Sequence, residues 1–189
     1  MKSFKITFQI YCLLIVIFLI FRLLLLLTNI PALEGASFGE VLKAFLIGLK
    51  FDTTTTCFMI ALPALLMIIG DFSGKMPGVL RVFVIVYLSV VSLLAFFVCG
   101  ADIPYYNEFV TRFNIAALNN IKPGQTGTVI KMIFGEPKFL VYLIPVIILA
   151  VLFILLIRRI VNQTKDFSKG GYLGKTLCSV ALVVLVFFG

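Results

Sequence analysis

The sequence contains no histidine and no tryptophan, and only 8 of its 189 residues are acidic. Without histidine there is no imidazole to ligate a metal or shuttle protons near neutral pH, which excludes imidazole metal centres and His-based acid–base catalysis. Cys12, Cys57, Cys99 and Cys178 lie singly within or beside apolar runs and form no C-x-x-C pair. They read as small apolar side chains rather than as a redox or zinc motif. Without tryptophan, an aromatic belt at a membrane surface has to be built from the 20 Phe and 6 Tyr. Polar residues are too scarce to cover a soluble core, since 62% of the chain is hydrophobic. That composition describes an integral membrane protein. The shortage of acids leaves a net charge of +8. In so apolar a chain the charge points to cytoplasmic loops and anionic lipid headgroups, and no nucleic-acid partner is expected.

A helix needs about 20 largely apolar residues to cross a hydrocarbon core about 30 Å thick. Segments 6–27, 51–70, 81–99 and 139–157 meet or approach that length, and a fifth span is expected over 173–189. The first run is too long for a signal-peptide core and no small-residue cleavage site follows it, so it reads as a retained span. The fifth stops after about 20 Å of helix from Leu177, which suggests a longer protein. The expected fold is all-α: a polytopic membrane bundle of five transmembrane helices with amphipathic interfacial helices on the outer face.

Charge sets the orientation. Lys2, Lys5, Lys75, Arg81, Arg158, Arg159, Lys165, Lys169 and Lys175 fall on one side, nine cations against Asp71 and Asp166. The positive-inside rule makes that side cytoplasmic, which leaves the C-terminus outside. Two outer interfacial segments are expected, 37–49 and 101–137. The first opens with Ser37 and Glu40 at capping-box spacing and carries Phe38, Val41, Leu42, Phe45, Leu46 and Leu49 at helical intervals. It could be continuous with the second span. The second segment holds two apolar stripes, 106–117 and 126–134, on either side of Pro123-Gly124.

The charged residues at the outer end are the candidate contacts. Asp52 falls in the first turn expected for the second span, where the helix macrodipole favours an anion, with Lys50 among headgroups. Thr53 to Thr56 can bond back to carbonyls of the preceding turn. Arg22 lies within the first span at a similar depth, where a charge is costly unless it is paired or reaches the surface. Pairing with Asp52, snorkelling alone and holding a lipid headgroup all remain open. Tyr105, Tyr106 and Arg112 on the outer side complete the set of structural or headgroup contacts. No catalytic, cofactor-binding or metal-ligating residue is assigned. "GGYLGK", "NQT" and "PGQTGT" match functional motifs only superficially, because each lacks the spacing, side of the membrane or strand context its chemistry needs.

Five spans with the C-terminus outside, "GLKFD" at 48–52 leading into the second span, and "ADIPYYNEF" at 101–109 after the third make the chain resemble one known domain type. This is the N-terminal membrane domain of the lipoteichoic acid synthase family, phosphoglycerol transferases of the sulfatase/alkaline-phosphatase superfamily. The resemblance implies a bacterial plasma-membrane anchor. It also implies an extracytoplasmic catalytic domain after residue 189, carrying a threonine nucleophile and a divalent metal, Mn or Mg. The lipid partner implied is phosphatidylglycerol. Thr53 to Thr56 lie in a membrane helix and are not that nucleophile. Phosphoethanolamine transferases carry a similar anchor and are an alternative. A transporter or channel subunit is another, against which stand the few polar residues in the spans and the absence of an evident repeat.

Overall fold

The structure is a computed structural model and describes residues 2–30, 35, 37–73, 76–109 and 137–163. Most of those residues form four long helices: α1 (Lys2–Thr28), α2 (Phe38–Phe72), α3 (Gly78–Phe109) and α4 (Pro137–Asn162). They contain 27, 35, 32 and 26 residues. At 1.5 Å per residue each is about 39 Å long or longer, more than the ~30 Å of a bilayer core. All four are long and apolar enough to cross a membrane. The fifth span expected at 173–189, and the part of the second interfacial segment from 110 to 136, lie outside the described residues.

Helices extend beyond the expected spans. Asp52, expected in a first turn, lies about four turns inside α2, beyond the reach of the N-terminal macrodipole. The segment 37–49 is continuous with the second span, as the sequence allowed, in one unbroken α2 from Phe38 to Phe72. Its start follows the capping box, with the Ser37 amide donating to Glu40 Oε2 at 2.8 Å. Beyond it, no proline interrupts the ladder before Pro63, and Gly48, near the expected join, is held within the helix. Likewise α3 continues past Cys99 and includes 101–109, passing through Pro104. A proline inside a helix removes one amide donor, a loss that neighbouring helices can help absorb.

Two helix ends carry local side-chain bonds to their own carbonyls. At the end of α1, Thr28 Oγ1 donates to Leu24 O at 2.8 Å and Asn29 Nδ2 to Leu25 O at 2.8 Å. At the end of α2, the Ser73 hydroxyl and amide both donate to Ile69 O at 3.0 Å. These bonds occupy carbonyls that a terminating helix would leave bare.

Helices α1 and α2 are antiparallel: Thr7 Oγ1 donates to Met67 Sδ at 3.7 Å near one end, and Arg22 meets Asp52 near the other. Helices α3 and α4 are antiparallel too, with Phe96 against Phe153 and Gly100 against Val146. The short link 73–77 returns α3 against α2, so α1 and α3 run in the same direction.

Phe96 is the hub. It is fully buried and meets rings from two other helices: Phe18 at 6.1 Å, Phe21 at 5.7 Å and Phe153 at 5.5 Å, the last edge-on at 89°. Edge-to-face pairs add to the dispersion gained by burial. Just beyond it, a Cβ on Gly100 would overlap Val146, so the missing side chain lets α3 and α4 approach closely. Much of the remaining surface is apolar: Phe51, Phe58, Val90, Leu94, Ile148 and Leu155 are all exposed. In water such a surface would aggregate; in lipid it is the ordinary outer face of a bundle.

Candidate functional site

Two of the charged residues nominated in the sequence, Arg22 and Asp52, meet between α1 and α2. Arg22 projects from α1, and its Nε and Nη2 both donate to Asp52 Oδ2, at 3.2 and 2.7 Å. The two side chains are only 12% and 16% exposed. A charge held in so little water has to be neutralised close by, and this pair neutralises itself.

The pair has a shaped seat on α2. Phe45, Gly48 and Asp52 are spaced i, i+3 and i+7, so they share one face of the helix. The Arg22 Cζ lies 5.9 Å from the Phe45 ring centroid, within cation–π range. Gly48 is buried beneath the guanidinium, and a Cβ there would overlap Nη1 and Cζ. Glycine is required here by a side chain crossing over it, not by its own backbone angle. Phe45 supplies the ring above, Gly48 the floor and Asp52 the counter-charge.

The threonine run continues down α2. Thr54 Oγ1 donates to Lys50 O at 3.0 Å, one turn back, which hides its hydroxyl from lipid. Thr53 Oγ1 accepts from Tyr11 Oη at 3.5 Å, the outer limit of a hydrogen bond and a second polar tie to α1. Thr56 is fully buried, and its hydroxyl has no partner among the described residues.

Of the six nominated residues, the structure brings Arg22 and Asp52 into direct contact. Lys50 is exposed beside them, two residues from Asp52 on the outward side of the helix. Tyr105 and Tyr106 are half-buried near the end of α3, on a different helix from the pair. Arg112 lies outside the described residues. Sequence reasoning missed Phe45 and Gly48 as the seat. The available signal was the spacing inside "FLIGLKFD", where a glycine precedes an aspartate by one helical turn.

The arrangement is a charge-balanced contact between two helices. Among the described residues no three His, Cys, Asp or Glu side chains gather as a metal ion would need. Two of the three guanidinium nitrogens of Arg22 donate to one oxygen of Asp52, which balances its charge. The chemistry the site can perform is to pin one helix to another.

Four long apolar helices, lipid-type outer faces and a self-neutralised ion pair define the class, that of multi-span α-helical membrane proteins. No family model matches the chain, and no curated protein and no solved structure matches it.

Proposed function

We propose that the chain is the membrane anchor of a lipid-headgroup transferase of the lipoteichoic acid synthase type, a phosphoglycerol transferase of the sulfatase/alkaline-phosphatase superfamily. The observation that carries this reading is the use made of "GLKFD". Its Gly48 and Asp52 seat Arg22, so the residues that carry the resemblance build the joint between α1 and α2. A bundle whose polar residues join helices is suited to holding a domain in place.

In this reading the N-terminus is cytoplasmic, the fifth span completes the anchor, and the catalytic domain follows outside a bacterial plasma membrane. An enzyme tethered at the surface that contains its substrate works at a high effective concentration of that substrate. The divalent metal and the nucleophile belong to the following domain, and none of residues 1–189 is assigned to them. Phosphatidylglycerol is the proposed headgroup donor.

Sequencing the gene past the codon for Gly189 tests the proposal directly. A following hydrolase-type domain of several hundred residues, with metal-ligating His and Asp clusters, is the expected result. A stop codon shortly after residue 189 would refute it. If the domain is present, transfer assays with phosphatidylglycerol and phosphatidylethanolamine donors separate the phosphoglycerol activity from its phosphoethanolamine sibling.

A further inference from the structure

The bundle end opposite the Arg22–Asp52 pair has a different electrostatic character. Antiparallel packing brings the N-terminal turns of α1 and the C-terminal turns of α4 to the same end, along with the last turn of α2 and the first of α3. Lys5, Arg158 and Arg159 are exposed there; Asp71, in the last turn of α2, is an acid at the same end, and no ion pair of the three cations occurs among the described side chains. At the other end, cations and acids are mixed and Arg22 is buried and paired.

Two observations indicate what these cations face. The first is their position on lipid-type stripes. On α4 the exposed residues Ile144, Ile148, Val151 and Leu155 recur at helical spacing, and Arg158 is the next position along the same line. Arg159 follows Leu152 and Leu155 in the same way. On α1, Lys5 heads the exposed line Phe8, Cys12 and Val16. Each cation therefore ends a face directed at acyl chains, where a long basic side chain reaches the headgroup layer. The second observation is Lys5 itself. It sits in the first turn of α1, which has no acidic residue, and there the helix macrodipole disfavours a cation. Helix-end electrostatics can account for arginines in the last turns of α4 but work against Lys5. An anion outside the helix satisfies all three.

We propose that Lys5, Arg158 and Arg159 form a binding surface for the phosphate of anionic phospholipids in the leaflet around this end of the bundle. The source is the membrane lipid itself: the cations terminate lipid-facing stripes, so the phosphate arrives attached to acyl chains that pack on Leu155 and Phe8. This surface lies at the opposite end from the outer domain of the proposed transferase and does not depend on that reading.

The test reconstitutes the chain in phosphatidylcholine bilayers with trace spin-labelled phosphatidylglycerol or spin-labelled phosphatidylcholine. Electron spin resonance then gives the selectivity for the anionic lipid at the protein surface. A basic side chain near an anionic headgroup contributes a factor of about five. The wild-type chain should prefer phosphatidylglycerol, and 1 M salt should remove most of that preference, because the screening length falls to about 3 Å. The Lys5→Gln/Arg158→Gln/Arg159→Gln variant should lose at least about fivefold in selectivity, while Lys43→Gln, at the other end, should keep it. Equal retention of both lipids by the wild-type chain overturns the proposal. So does a preference that persists in 1 M salt, or one lost as fully in Lys43→Gln as in the triple variant. Should the triple variant fail to fold, the salt titration of the wild-type chain decides.

Discussion

Removing the Asp52 carboxylate tests whether the Arg22 contact is a coupled pair or two separate surface charges. In Asp52→Ala the guanidinium loses both of its N–H···O bonds, at 3.2 and 2.7 Å, yet stays pressed against Gly48 and Phe45. Breaking a fully buried pair by removing one partner costs about 3–5 kcal/mol. Here the side chains retain 12% and 16% of their exposure, and the guanidinium can extend toward the nearby end of α1. A cost of about 2–3 kcal/mol is therefore expected. Arg22→Ala/Asp52→Ala leaves no stranded charge and should cost less than Asp52→Ala alone. The pairwise coupling should be about 1–3 kcal/mol. The assay is reversible unfolding in mixed micelles with rising dodecyl sulfate, followed by circular dichroism, on all four corners of the cycle. Asp52 lies about four turns inside α2, out of reach of its N-terminal dipole, so an Asp52 that ignored Arg22 would contribute less than about 1 kcal/mol. A coupling below about 0.5 kcal/mol, with additive single effects, would refute the pair.

Three further outcomes follow from particular contacts. Gly48→Ala should gain about 1 kcal/mol in helix propensity, but the new Cβ displaces the guanidinium from Asp52, so unfolding should show a net loss. In an Arg22→Ala background the same change should become stabilising, and failure of that sign reversal would refute the seat. Phe96→Ala removes the ring shared by α1, α3 and α4 and should cost about 3–5 kcal/mol in the same unfolding assay, against less than about 1 kcal/mol for the exposed Phe58→Ala. For topology, single cysteines on a background lacking the native four should label from outside the cell at Asn119 and only after permeabilisation at Lys165; outside labelling at Lys165 would overturn the orientation.

Which stretches become helices was legible because the signal is local. Runs such as 6–27 and 81–99 are long, apolar and free of breaking signals, and a bilayer leaves them no alternative to helix. The capping box at Ser37 and Glu40 was equally readable, since both partners lie within one turn. The continuity of α2 was harder to read. A charged "LKFD" resembles a membrane boundary, yet charge does not interrupt a backbone ladder, and Lys50 and Asp52 are both accommodated inside a helix of 35 residues.

What only the tertiary structure decided is which faces meet. In a soluble helix an apolar stripe announces the buried side, but these helices are apolar nearly all round, so periodicity separates core from lipid face poorly. Nothing in a chain with 20 phenylalanines singled out Phe96 as the hub and Phe58 as exposed. The partner of Arg22 was open for the same reason: sequence placed Arg22 and Asp52 at similar depth, but depth does not say which way a side chain turns around its helix. The register of α1 on α2, and the glycine that lets a guanidinium lie flat across it, settle the pair at 2.7 Å. Local propensity and hydrophobic length therefore determined the helices, while their rotation and register were set by contacts between residues distant in the chain, such as Arg22 with Asp52 and Phe96 with Phe153.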